Sequence, residues 1–297
     1  MSDMANMVKK AEEYLESAGK LTEEYLDKYI PGKNEAPETL HCAMRYALLT
    51  GGKRLRPALA QAAYEFFGGK PSEHIYLAMC TLEMLHTFSL IHDDLPCMDD
   101  DDFRRGKPTT HKIYGEATAV LAGDALCIFA FELINRTGNI AVVEELARSL
   151  GTKGMIGGQI VDIESEGKSV DLVTVDYIHY HKTAALIEAS LVIGSLLANA
   201  KKEDLEHIRE FGKGIGLVFQ IVDDILDIES STEELGKDVG SDIKNGKATY
   251  PAVLGLEASK QKARELYNKA LANLERLPDK NFETLKNIAA LIIERTH

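Results

Sequence analysis

Two aspartate clusters, Asp93-Asp94-Leu95-Pro96-Cys97-Met98-Asp99 and Asp223-Asp224-Ile225-Leu226-Asp227, are the residues here best suited to chemistry. Each follows an apolar, helix-like stretch, Leu85 to Ile91 and Ile215 to Val222. Carboxylates gathered at the C-terminal end of a helix oppose its dipole and repel one another, so something cationic must compensate them. With lysine and arginine motifs lying between them, the clusters point to Mg²⁺ ions bridging protein carboxylates to a diphosphate. Asp223 and Asp227 fall within ~40° of each other on one helix face, with Asp224 at its border. Asp93 and Asp99 would lie ~120° out of line on an ideal helix. Pro96 gives the chain a reason to bend or end its helix there, letting Asp99 swing back. Acidic runs also occur as plain solvated surface, and that reading stays open for Asp100 to Asp102.

Cationic partners are spread along the chain. Gly51-Gly52-Lys53-Arg54-Leu55-Arg56-Pro57 places Lys53 and Arg56 three residues apart after a glycine break, where convergent donors could take a phosphate. Arg104-Arg105-Gly106-Lys107-Pro108 follows the first acidic motif; simple neutralisation of Asp99 to Asp102 would also explain it. His86 precedes Asp93 by two helical turns on the same face. His181-Lys182-Thr183 interrupts an apolar segment, where an unpaired lysine would be costly. Lys237 and Lys247 follow the second acidic motif and read equally as surface; Gln220 shares the face of Asp223.

The elements that must position these groups are helices. Apolar residues recur at three- and four-residue spacing over 4–29, 117–137, 140–151 and 171–200. Short breaks separate the segments: Pro31-Gly32, Gly51-Gly52, Gly68-Gly69, Gly106 and Asn245-Gly246. Strand-like alternation, a linker and a fixed-period repeat are all missing, which predicts one all-α domain spanning 1–297, with about ten or more helices around a common core. With 45% hydrophobic and 27% charged residues the chain has a globular profile, and a net charge of −13 without a basic block argues against a nucleic-acid partner. No uninterrupted apolar run approaches the ~20 residues of a membrane span, and no signal peptide is evident. Four dispersed cysteines without a CxxC pair predict a reducing, cytoplasmic setting. The soft thiol of Cys97 is a poor magnesium ligand and is read as a spacer.

Taken together, GGKRLRP, HTFSLIHDDLPCMDDDDFRRGKPTTH, GGQIVDI, HKTAALI, FQIVDDILD and LGKDVGSDIKNGKATYP resemble the trans-prenyl diphosphate synthases, specifically short-chain bacterial enzymes of the farnesyl diphosphate synthase type. The similarity covers nearly the whole chain in the family's order and spacing. It implies an all-α, isoprenoid-synthase-type bundle around a central apolar cavity, and a homodimer; the lack of a spanning apolar run separately predicts no stable membrane insertion. The resemblance further implies about three Mg²⁺ ions: two held by Asp93 and Asp99 with Asp94 assisting, and one by Asp223 with Asp224 and Asp227. Arg104, Lys182 and Lys247, with Lys237 nearby, would grip the allylic diphosphate. Lys53, Arg56, His86 and Arg105 would bind isopentenyl diphosphate, while Thr183 and Gln220 face the reacting carbons.

Product length in such a family is set just before the first aspartate. Phe88, fifth before Asp93, resembles the bulky residue of enzymes that stop at fifteen carbons, so farnesyl diphosphate is the expected product. Ideal helix geometry complicates this, because Ser89 lies ~40° from the Asp93 line and Phe88 ~140° away. A geranylgeranyl diphosphate synthase is the nearest rival, differing only in tunnel depth. A terpene cyclase would not need the GGKRLRP site, and a non-catalytic regulatory subunit would be expected to have lost motif aspartates or arginines. A calcium-binding protein lacks its loop here. Asp93→Ala or Asp223→Ala is expected to nearly abolish turnover with the fold intact; near-normal steady-state activity in either variant would defeat the metal assignment.

Overall fold

The structure, a computed structural model, describes residues 3–229, 246–277 and 281–295. Its first half runs α1 (Asp3–Tyr29), α2 (Glu38–Leu49), α3 (Leu55–Phe66), α4 (Glu73–Asp93), the short strands β1 (Phe103–Arg104) and β2 (Lys107–Pro108), α5 (Thr110–Tyr114) and α6 (Glu116–Asn135). Then follow α7 (Ile140–Leu150), α8 (Met155–Ser165), α9 (Leu172–Ile178), a π-helical turn (His179–Ala184), α10 (Ala185–Leu197), α11 (Lys202–Glu229), α12 (Tyr250–Leu254), α13 (Leu256–Leu274) and α14 (Glu283–Glu294). The fold is all-α. Its single departure among the described residues is the antiparallel ribbon Phe103–Pro108, whose turn residues Arg105 and Gly106 both take positive φ (54° and 72°). Two left-handed residues give a turn whose twist suits a two-residue hairpin.

Packing groups the chain into two compact units: Met1–Tyr14, Leu59–Lys70 and Ala141–His297 form one, Leu15–Ala58 and Pro71–Ile140 the other. In the second of these, α4 is the core helix. It is buried nearly all round from Ile75 to Ile91, as expected of a helix with apolar residues on every side. It packs on α6, where Thr81 Oγ1 donates to the Ala130 carbonyl (3.3 Å), and on α1, where Tyr25 stacks on Tyr76 (centroids 4.2 Å apart). α6 buries the stripe Ala119, Ala122, Leu126, Ala130 and Leu133. On its other side Val120, Leu121 and Ile128 are 40%, 59% and 71% exposed. By length and composition both helices would suffice to cross a bilayer, although no uninterrupted apolar run marks them in the sequence. The apolar window is 72% buried inside the protein for α4 and 39% for α6.

In the first-named unit, α10 is the enclosed helix, buried without a break from Ala185 to Ser195. Its hydroxyls are satisfied locally: Ser190 and Ser195 donate to the carbonyls four residues back. Gly194 lets α3 come close, since a Cβ there would sit 2.0 Å from the Ala60 carbonyl oxygen. The amphipathic α11 packs against α10 and α13. A cluster of Val175, Ile178, Ile221, Ile225 and Tyr250 joins α9, α11 and α12. The helical stretch expected over 171–200 is therefore present, interrupted by a π turn that periodicity alone does not signal.

Candidate active site

The first aspartate motif closes α4. Regular helix runs to Asp93, and Pro96 then turns the chain so that the Asp99 amide donates to the Asp93 carbonyl (2.8 Å). The six-residue spacing, out of line on a helix, is thereby folded back, with Asp100 at positive φ (53°). Asp93 and Asp99 are half-exposed, whereas Asp94 is buried. Both Nε and Nη2 of Arg104 reach Asp94 Oδ1 (2.8 and 2.5 Å), and Nη2 also reaches Asp101 (2.8 Å). Burial nonetheless pushes the Asp94 carboxyl up to about 6, with Arg104 pulling it back. Asp94 was expected to assist a metal and Arg104 to grip a diphosphate; here each holds the other, because a carboxylate out of water needs a cation. Asp94, Arg104 and Arg105 line a cavity of about 30 Å³ with Thr87 and Thr109, enough room for ordered water.

Deeper in this unit, Arg54, Arg56, Arg105 and His86 gather round one buried carboxylate, Glu83, which is 1% exposed. Arg54, in the left-handed region (φ 48°), bonds Glu83, the Leu48 carbonyl (2.8 Å) and Glu23 (3.2 Å). Arg105 bonds the Gly51 carbonyl and Glu83 (3.4 Å). Arg56 is buried, with no hydrogen bond to its Nε among the described residues, and burial pushes its guanidinium down to about 10 against the pull of Glu83. Burial and the four surrounding arginines hold His86 well below the ordinary histidine range, hence neutral. Burial comes first among the causes that disfavour even a guanidinium here, and the neighbouring arginines add to it. Lys53 is exposed at its edge. Sequence reasoning missed Glu83 and Arg54; a glutamate inside the apolar stretch of α4 was the available signal.

In the other unit the π turn presents Lys182 and Thr183. Gly158 of α8 makes this possible, since a Cβ there would lie 2.3 Å from the Lys182 amide nitrogen. The Lys182 ammonium meets the buried Asp162 (2.6 Å), a residue of the GGQIVDI string to which the sequence assigned no role. Thr183 donates to Gln220 Oε1 (2.8 Å), and Gln220 Nε2 donates to Asp224 Oδ1 (3.0 Å). Asp224 Oδ2 accepts the Tyr250 amide (3.0 Å) and lies 3.4 Å from His179 Nε2. Asp224 therefore anchors Gln220, with each of its oxygens accepting from a protein donor. Asp223 is half-exposed and faces Arg295 (3.3 Å), a second residue the sequence did not single out. Asp227 is buried and Lys247 half-buried; Lys237 lies outside the described residues.

Do these carboxylates fit magnesium? Their hard oxygens do, and among the described residues no three His, Cys, Asp or Glu side chains converge into a cage. Mg²⁺ is usually held through one or two carboxylates plus water and substrate phosphates, so paired aspartates suit it better than a closed protein site would.

His179, buried and stacked on Tyr250, is pushed down to about 3, mainly by burial. A base whose folded pKa lies below its unfolded value adds stability above pH 6.5, lost as pH falls toward 3. By pH 5 the loss is about 2 kcal/mol. Denaturant titrations at pH 7 and 5 should show this loss in the native chain and a flatter response in His179→Gln; equal responses would refute it.

With this geometry, the comparisons agree closely. The polyprenyl synthetase family profile matches residues 37–287, which include parts of both units. The chain is 51% identical over 267 residues to the chloroplastic geranylgeranyl pyrophosphate synthase of Capsicum annuum, covering 87% of this chain and 72% of that one. It is 46% identical over 292 residues to the geranylgeranyl diphosphate synthase of Cyanophora paradoxa, covering 96% of both. The crystal structure of a Helicobacter pylori geranyltransferase complexed with magnesium and isoprenyl diphosphate superposes with a TM-score of 0.82 at 33% identity, covering 95% of this chain and 96% of that one. A profile spanning most of the chain and relatives at 46–51% identity show its family: the chain belongs to the polyprenyl synthetase family.

Proposed function

We propose that the chain condenses isopentenyl diphosphate with allylic diphosphates and carries elongation to the twenty-carbon geranylgeranyl diphosphate. The carrying observation is the arginine cluster. Three guanidinium groups against buried Glu83 and the more exposed Glu23, with a neutral His86 beside them, leave one positive charge uncompensated, and a diphosphate supplies the missing anion. Arg56 and Arg105, with Lys53 and His86, bind the diphosphate of the isopentenyl substrate. Lys182 and Lys247 serve the allylic diphosphate. Asp93 and Asp99, and separately Asp223 and Asp227, would hold magnesium, which supplies positive charge to the departing diphosphate oxygens. The Gln220 amide takes the Thr183 proton in a hydrogen bond, which leaves the lone pairs of the Thr183 oxygen for an electron-poor carbon. Water would have to be kept from the reacting carbons, since it would trap a carbocation.

Product length is the point on which the farnesyl expectation gives way. Relatives at 46–51% identity are geranylgeranyl synthases. The geometry supports the same reading. α4 is regular to Asp93, so Phe88 stays ~140° from the Asp93 line. Its ring is buried edge-to-face on His92 (5.8 Å), and His92 contacts the Val120 carbonyl (3.1 Å), so Phe88 faces α6. The residue under the Asp93 line is the small Ser89, which blocks little. The bulk of Phe88 favours the fifteen-carbon alternative.

The apolar side of α6 gives the homodimer a candidate surface, since a second copy would cover Val120, Leu121 and Ile128. Sedimentation should then give twice the chain mass, and Ile128→Glu should shift it toward the monomer; a monomeric native chain would remove the proposal. Incubation with Mg²⁺, isopentenyl diphosphate and dimethylallyl or geranyl diphosphate, followed by dephosphorylation and chromatography, should yield mainly geranylgeraniol. Ser89→Phe should shift the product to farnesol. Farnesol from the native chain, with longer products from Phe88→Ala, would reinstate Phe88 as the stop. No product from folded protein would favour a regulatory subunit.

A further inference from the structure

A charged network away from both aspartate motifs ends on the π turn. Glu145 (α7) and Glu188 (α10) are both buried. Arg209 of α11 reaches Glu145 through Nη1 and Nη2 (2.9 and 2.8 Å) and also bonds Glu188. Arg148 of α7 bonds Glu145 and lies 3.4 Å from Glu188. Two charges of each sign make the group neutral, so unlike the arginine cluster it calls for no ligand. It does reach one uncharged side chain: the Tyr180 hydroxyl donates to Glu188 Oε2 (2.8 Å), and Lys213 of α11 sits 5.1 Å from the Tyr180 ring centroid. Tyr180 is also where the helix departs from α geometry, because the Ala185 amide bonds the Tyr180 carbonyl five residues back.

We infer that Tyr180 is a positioning residue: its hydroxyl, fixed on Glu188 and through it on Arg209, Glu145 and Arg148, holds open the π turn, and it governs kcat through Thr183, since Lys182 is separately pinned on Asp162. The inference rests on the proposed roles of those two residues. The buried α10 gives the network a rigid footing, and Gly158 leaves the turn no slack on the side of α8. Collapse of the turn to α geometry would swing Lys182 and Thr183 against α10 by about one residue's rotation, ~100°.

The test is steady-state kinetics on the full chain with Mg²⁺, isopentenyl diphosphate and geranyl diphosphate. Tyr180→Phe deletes one oxygen and should lower kcat about tenfold and leave KM for isopentenyl diphosphate within about twofold, while Tm falls by a few degrees because buried Glu188 Oε2 loses its donor. In a Thr183→Ala background the same substitution should have no further effect on kcat, because its influence runs through Thr183. Should Tyr180→Phe fail to fold, Arg209→Lys slackens the same carboxylate and carries the same comparison. A lowered Tm with kcat kept, or losses that multiply in the double variant, would overturn the inference. If Thr183→Ala alone leaves kcat unchanged, the assignment of Thr183 fails and takes this inference with it.

Discussion

Taking a carboxylate or guanidinium out of water costs several kcal/mol unless a partner meets it, and both units are organised around charges that have been taken out. Glu83 holds Arg54 and Arg105; Asp94 holds Arg104; Asp162 holds Lys182; Glu145 and Glu188 hold Arg148 and Arg209. Where the signs balance, as around Glu188, the group fixes helices to one another. Where they do not, as around Glu83, the protein holds positive charge in reserve for an anionic ligand. Preorganised charge of this kind needs no reorganisation when negative charge develops, which is why it suits a reaction that expels diphosphate.

The same constraint divides the work within each aspartate motif. Adjacent residues on a helix point ~100° apart, so a pair of aspartates cannot face one way. Asp94 and Asp224 turn inward and are held by protein donors, Arg104 in one case and Gln220 with the Tyr250 amide in the other. Asp93 and Asp223 remain half-exposed. A sequence string of carboxylates reads as a row of equivalent ligands, whereas the fold makes one of each pair an anchor and leaves its neighbour accessible.

Close backbone approach is the second device. Gly158 admits the π turn and Gly194 admits α3, each at separations a Cβ would forbid. The π turn then shows Lys182 and Thr183 at one place without ending the helix. π segments inside α-helices recur at functional sites because the extra residue shifts side chains that strict periodicity would bury or scatter.

Periodicity and punctuation in the sequence determined the all-α class, the bounds of α1, α6 and α7 to within a few residues, and the aspartate and cation motifs, because apolar spacing and turn residues are local properties. Pro96 likewise announced the bend that returns Asp99 to Asp93. Tertiary structure alone decided the partners. Glu83 and Asp162 read as incidental until the arginines and the lysine they compensate were brought beside them from 29 and 20 residues away. Phe88 shows the same limit: its bulk is legible in one dimension, but its direction follows from how regular α4 is and which helix covers it. Burial and charge pairing act across distances in the chain that no local pattern records, so the sequence could name the reacting groups but not which of them are free to react.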